Sequence, residues 1–357
     1  KIIDIPYQES EGACWARNKI QQEYNNETYT LQLDSHHRFV PSWDQELIEM
    51  LENLRSDGYK KPLLTSYISS FDPDNDPQGR SQDPWKMNFD RFTPEGIVFF
   101  LPGGIDNNKS LTKPIPSRFY SAHFCFADGK FSKEVQHDPE YYFHGEEISI
   151  AVRAFTHGYD LFHPHKTIAW HEYTRKGRTK HWDDNSKWHE KNTKCHKRNR
   201  ILLKMEEDDQ NTDFGSYGLG TERTLEEYER YAGISFKKRA VQQYTLNFEL
   251  PPNPEYKNEK EYEDSFLKIF RHCIDIAYSQ VPEKDYEFWV VAFHNSNGDT
   301  IFRKDADKDE ISGFFNDPDK YCKIWREFNC EERPSKWIVW PFSTSKGWCD
   351  SISGEMQ

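Results

Sequence analysis

Asp34 and His36 stand two positions apart in the run Tyr-Thr-Leu-Gln-Leu-Asp-Ser-His-His-Arg-Phe, Tyr29 to Phe39. Tyr29, Leu31 and Leu33 alternate with polar residues, which predicts a strand. Side chains two apart on an extended chain share a face. A carboxylate and an imidazole therefore project together from a strand end. The pair suits a divalent ion of the Mn2+ or Mg2+ kind, and such an ion needs an anion to work on, a diphosphate being the obvious one. Taken alone, Asp-x-His also describes two solvated side chains, so the surrounding residues have to decide.

Three further groups bear on the choice. Arg17, in Glu11-Gly12-Ala13-Cys14-Trp15-Ala16-Arg17, lies on a predicted helix leading into the strand and has the fork geometry to grip a phosphate. Phe143-His144-Gly145-Glu146-Glu147 opens another predicted helix. Its carboxylates fit either the helix N-terminus or a role on a substrate hydroxyl or in proton transfer. His171 follows an apolar strand, as Asp34 does, and is placed to complete a metal triad with Asp34 and His36. Ligation needs neutral imidazole, so activity is expected to fall at acid pH. His163 and His165 fit loop positions with no ligand role. His181, His189, Cys195 and His196 match no zinc spacing and read as a solvated face or a nucleotide-side loop.

These groups must be carried by a chain of 357 residues, which has room for two domains. Aromatics make up 15% of it and can fill a core. The net charge of -13 argues against a nucleic-acid groove, since phosphate binding is led by Lys and Arg. A bound cation would invert the local charge for an anionic donor. No apolar run reaches the roughly 18 residues of a membrane span. Seven irregularly spaced cysteines predict reduced thiols and a cytoplasmic protein, with a disulfide among Cys322, Cys330 and Cys349 left open.

Periodicity places the elements. A strand is expected over residues 1–9, a helix over 12–24 with Ala13, Ala16, Ile20 and Tyr24 on one face, and then the strand of Asp34. A helix over 42–55 follows, capped by Ser42 and carrying Leu47, Ile48, Leu51 and Leu54. Strand, helix, strand, helix is the α/β pattern. Further expectations are a strand at 96–101, a helix at 146–155, a strand at 167–170, a helix at 195–205 and a helix capped by Thr224 with Glu227 three on. A second domain is placed at 240–357, after a first at 1–239. Its expected parts are a strand at 243–250, a helix at 265–278, a hairpin of 288–293 with 300–303 turning at Asn297-Gly298, and a last strand at 336–340. Trp289, Trp325, Trp337, Trp340 and Trp348 fit a core, or a surface for carbohydrate or peptide. This domain is expected to be α+β or β-rich, serving acceptor recognition.

In their order, the motifs resemble those of GT-A glycosyltransferases that start O-linked glycosylation of polypeptides. More closely, they resemble the polypeptide (hydroxyproline) N-acetylglucosaminyltransferase family. The stretches that carry the resemblance are Cys14 to Arg17, Leu31 to Phe39, Ser121 to Ala127, Gly145 to Glu147, Thr156 to Asp160, His171 to Arg175 and Tyr217 to Thr224, within roughly residues 1–236. The resemblance implies a Rossmann-like nucleotide-diphospho-sugar transferase fold. It implies Mn2+ (or Mg2+) on Asp34, His36 and His171, with Asp34 also serving the donor, UDP-GlcNAc. Arg17 would sit near the nucleotide, Ala122, His123 and Phe124 would line the sugar pocket, and Glu146 and Glu147 would face acceptor or sugar. The implied reaction transfers N-acetylglucosamine to a hydroxyproline, serine or threonine hydroxyl of a polypeptide. It retains the anomeric configuration by front-face displacement, the ion acting as Lewis acid on the leaving diphosphate. GT-A domains place a strand and helix around uridine before Asp-x-His. Only 33 residues precede Asp34, so that unit is expected to be lacking. Two rival readings are a binding module that keeps the fold without donor chemistry, and an enzyme that moves another sugar or inverts, with Glu146 or Glu147 as general base.

Overall fold

The structure is a computed structural model that describes residues 2–174, 188–208, 211–330 and 332–356. Arg175 and His181 lie outside the described residues. The chain divides into two compact units, Lys1–Phe266 and Leu267–Gln357. The division lies between 266 and 267 rather than near 240, because residues 240–266 pack with the first unit.

In chain order the first unit contains α1 (Ala13–Gln21), β1 (Tyr29–Leu33), β2 (His37–Phe39), α2 (Trp43–Ser56), β3 (Pro62–Thr65), β4 (Trp85–Phe92) and β5 (Val98–Gly104). Then come β6 (Ile115–Pro116), β7 (Phe124–Asp128), α3 (Phe131–Glu134), α4 (Glu146–Thr156), β8 (Asp160–His163) and β9 (Ala169–His171). α5 (Trp188–Leu202), α6 (Leu225–Ala232), β10 (Ile234–Ser235), β11 (Ala240–Gln242), α7 (Gln243–Leu246) and α8 (Glu259–Asp264) complete it.

The main sheet has the order β1-β7-β3-β8-β6. Only β3 and β8 run parallel; the other neighbours are antiparallel. The fold is thus mixed α/β, with less parallel pairing than alternating strands and helices suggested. Leu47, Met50, Leu51 and Leu54 recur at helical spacing on α2 and bury against Leu64, Phe124, Phe126 and Phe162 of the sheet. Tyr29, Leu31 and Leu33 pack against the same core. β1 is an edge strand and flanks a cavity of about 830 Å³ lined by Ile20, Tyr24, Leu31 and Leu33 among others.

Several local expectations change. Among the described residues 2–9 there is no strand; their regular element is a 3-10 turn at Tyr7–Glu9. α1 buries Cys14, Asn18 and Gln21, while Ile20 is exposed, so its inner face is polar. Ser42 occupies the N-cap of α2 but makes no side-chain capping bond, its backbone being left-handed at φ 57°. Thr224 and Glu227 form the full capping box of α6. Gln243 to Leu250 begins with the short helix α7 rather than a strand.

The second unit is β-rich. Its elements are β12 (Ile269–Ala277), β13 (Tyr286–His294), β14 (Thr300–Arg303), β15 (Ala306–Asp307), α9 (Lys308–Phe314), β16 (Tyr321–Asn329), β17 (Lys336–Ser343), β18 (Gly347–Trp348) and β19 (Ile352–Glu355). β12 replaces most of the helix expected at 265–278. It pairs antiparallel with β16 from Ile269↔Asn329 to Ala277↔Tyr321. Its buried Ile274 and Ile276 lie two apart, the strand period. β13 and β14 form the hairpin around Asn297-Gly298. β17 is followed by two more strands, so it is not the last. Trp289 is fully buried with Ile274, Val291, Phe293, Ile324 and Val339, whereas Trp325, Trp340 and Trp348 are exposed. All seven cysteines are free.

Candidate active site

The site begins where β1 ends. Asp34 follows Leu33, and the chain turns through His36 into β2, which pairs with β9 so that His37 lies opposite His171. The backbone clamps His171 on both sides: its N–H donates to Ser69 O (2.9 Å) and its carbonyl accepts from the N–H of Phe71 (3.2 Å). Donor atoms of Asp34, His36 and His171 all lie within 4.8 Å of one another. The rings of His36 and His171 are 4.4 Å apart, and His171 Nε2 is 3.8 Å from Asp34 Oδ2. The structure therefore brings together three residues spread over 138 positions of sequence (34 to 171, counted inclusively).

Both ring nitrogens of His171 are buried without a hydrogen bond, and so is His37 Nε2. A buried imidazole with no partner is costly. A cation on Asp34, His36 and His171 would satisfy one of those nitrogens. The donor set, one carboxylate and two imidazoles, does not suit Ca2+, which takes all-oxygen cages, and is open to a transition ion such as Mn2+.

Arg17 organises the acidic side. One guanidinium nitrogen donates to Asp34 Oδ1 at 3.0 Å and another to Glu146 Oε2 at 2.7 Å. Burial pushes the Asp34 carboxyl up, but His171 and Arg17 outweigh it and hold it well below the usual carboxylate range. Asp34 is thus ionised at any working pH. The two helices that deliver these groups both start at glycines with positive φ, Gly12 (124°) and Gly145 (94°). A Cβ on Gly12 would meet the Tyr142 carbonyl at 2.8 Å, and one on Gly145 would meet Ile97 at 3.2 Å.

The two adjacent glutamates separate in role. Every residue of α4 is buried except Glu147, which is half-buried with both carboxylate oxygens on inward donors. Glu146 points to Arg17 and Cys14, the Cys14 thiol donating to its Oε2 at 2.8 Å. Glu147 Oε1 accepts from the N–H of Ala122 (3.0 Å), and Oε2 accepts from the Tyr67 hydroxyl (2.7 Å). Burial raises the Glu147 carboxyl to about 7 despite those two donors. His123 stacks between Tyr67 (5.2 Å) and His171 (4.4 Å). Burial first, and then the neighbouring His171, push His123 well below its ordinary value, so it is neutral. The Ala122 carbonyl accepts from Gln32. Ala122, His123 and Glu147 thus adjoin the triad, while Phe124 is fully buried in the sheet core and shows no face to a ligand.

Spacing did not reveal Tyr67, His37 or Tyr173. Tyr67 follows β3 at a strand end, which was the available signal. Tyr173 donates to the Ile68 carbonyl at 2.7 Å, and its ring lies 4.3 Å from that of His171. His163 is structural, its Nδ1 bonding the Thr65 carbonyl. On α5, Cys195 donates to the His144 carbonyl, and the buried His196 stacks on the His144 ring.

The glycosyltransferase (GlcNAc) family model matches residues 1–238. The chain belongs to this family, and its first unit is a glycosyltransferase. A nucleotide sugar and an acceptor are therefore its substrates in kind. No curated protein matches the sequence significantly. Among the described residues no helix is long and apolar enough to cross a membrane.

Proposed function

We propose that the chain is a metal-dependent retaining transferase of GT-A type. It would move N-acetylglucosamine from UDP-GlcNAc to a hydroxyl of a polypeptide, on hydroxyproline, serine or threonine. The observation that carries this reading is the approach of Asp34, His36 and His171 to within 4.8 Å of one another. Mn2+ on these residues would supply Lewis-acid stabilisation to a leaving diphosphate. Arg17 orients Asp34, and His123, kept neutral by burial, stacks on His171.

Ala122, His123 and Glu147 supply the sugar side. In the ionised state Glu147 is an acceptor for a sugar or acceptor hydroxyl, with Tyr67 and the Ala122 N–H fixing both its oxygens. Glu146 is assigned to holding Arg17 rather than to the substrate. In support, its carboxylate is buried and bonded to Arg17 and Cys14. A cytoplasmic location and acceptor recognition by the second unit complete the reading.

The test is release of UDP from UDP-GlcNAc by the full chain, with and without Mn2+. The reading expects release that depends on Mn2+ and falls at least about a hundredfold in Asp34→Ala. Equal donor hydrolysis by Asp34→Ala and wild type would contradict it. The product anomer, read by NMR, separates retention from inversion.

A further inference from the structure

A second set of donor atoms meets one layer deeper than the triad. Cys14 on the first turn of α1, His137 in the loop after α3 and Glu146 on the first turn of α4 offer atoms all within 4.8 Å of one another. Cys14 and His137 are each 1% exposed and Glu146 is 6% exposed. None of the three belongs to the set of Asp34, His36 and His171.

The hydrogen bonds around His137 fix its tautomer. Gln32 Nε2 donates to the Ala122 carbonyl at 2.6 Å, which orients the amide. Gln32 Oε1 is then an acceptor, and His137 Nε2–H donates to it at 2.7 Å. His137 Nδ1 is left with a lone pair, buried and without a hydrogen-bond partner. Burial, followed by Arg17 and Arg153, pushes this imidazole well below its ordinary value, so it stays neutral. One nitrogen held by a hydrogen bond and the other left open is how a ligating histidine is prepared. The backbone around it is also tied: Gln21 accepts from its N–H and Asn18 donates to its carbonyl.

We propose that Cys14, His137 and Glu146 hold a zinc ion as three of its four ligands, the fourth position falling to water. A thiolate ligand favours Zn2+ over the harder Mn2+ or Mg2+. Binding breaks the Cys14 S–H bond, forms a Zn–S bond and releases the proton to solvent. Without a cation, burial and then the Glu146 carboxylate push the Cys14 thiol up; a bound dication reverses that preference. Charge balances as well. Zn2+ and Arg17 together offset the Cys14 thiolate, Glu146 and Asp34, with Arg17 bonded to both carboxylates. The ion would join the starts of α1 and α4, the helices that carry Arg17 and its anchor Glu146.

The experiment is the metal content of the full chain, purified without chelator and reconstituted with excess ZnCl2. Wild type and His171→Ala are expected to keep stoichiometric zinc through desalting, whereas Cys14→Ser and His137→Gln lose it. Gln32→Ala, which removes the hydrogen bond behind His137, is expected to weaken zinc binding about 10- to 100-fold. Cobalt-substituted wild type should show a thiolate-to-cobalt charge-transfer band, and this reading needs no variant to fold. Absence of zinc and of that band in wild type would overturn the proposal. So would zinc retained by folded Cys14→Ser and lost from His171→Ala.

Discussion

Arg17 holds two carboxylates with separate nitrogens, Asp34 on the metal side and Glu146 behind it. Removing a partner from such a set leaves a poorly solvated charge behind. Arg17→Ala is expected to cost about 3–5 kcal/mol, read from the urea midpoint. Arg17→Lys should recover only part of that, because an ammonium is a point charge without the fork. Glu147 gives a pH-dependent test. Its carboxyl lies near 7 in the folded chain against an ordinary 4.5. Its contribution to stability is therefore full below about pH 4.5 and lost as pH rises through about 7. Glu147→Gln should raise the melting temperature relative to wild type at pH 8 and change it little at pH 4.5; the opposite order would contradict the burial argument. The approach of Asp34, His36 and His171 was partly legible in the sequence: Asp34 follows β1 and His171 ends β9, while His36 sits in the turn between β1 and β2. Tyr67 was not, since a tyrosine after a strand has no spacing that ties it to Glu147 eighty positions on.

Elements were legible where one face alone is buried. α2 shows its stripe of Leu47, Leu51 and Leu54, and α6 announces itself by Thr224 and Glu227. α1 misled because its inner face is polar: Cys14, Asn18 and Gln21 pack inward on hydrogen bonds to His137 and Glu146. The helix expected at 265–278 is mostly strand because β16 offers a full-length partner, which no local window of sequence contains. The start of α4 depends on backbone shape rather than on side chains. Gly145 holds φ 94° and packs against Ile97 and Asn199. Gly145→Ala should cost about 1–2 kcal/mol through the left-handed backbone alone. It should also displace Glu146 and Glu147, so that activity falls further than stability does. A stable, fully active Gly145→Ala protein would show that α4 tolerates another start.

Over the whole chain, each compact unit has its own core. The strand count and the buried tryptophan of the second unit were partly readable from alternation and from Asn297-Gly298, but the exposure of Trp325, Trp340 and Trp348 was not, because aromatic content alone does not separate core from surface. Trp289 is fully buried in the second core. Trp289→Ala should cost about 3–5 kcal/mol there. In calorimetry it should lower one transition while Mn2+ binding by the first unit is unchanged; loss of Mn2+ binding would contradict separate cores. The proposed donor chemistry turns on one ion held by three side chains. Its most direct measurement is Mn2+ binding to the full chain by electron paramagnetic resonance, for wild type and for Asp34→Ala, His36→Ala and His171→Ala. Each single change is expected to weaken binding by at least about tenfold. Binding by folded His171→Ala as tight as by wild type would contradict it.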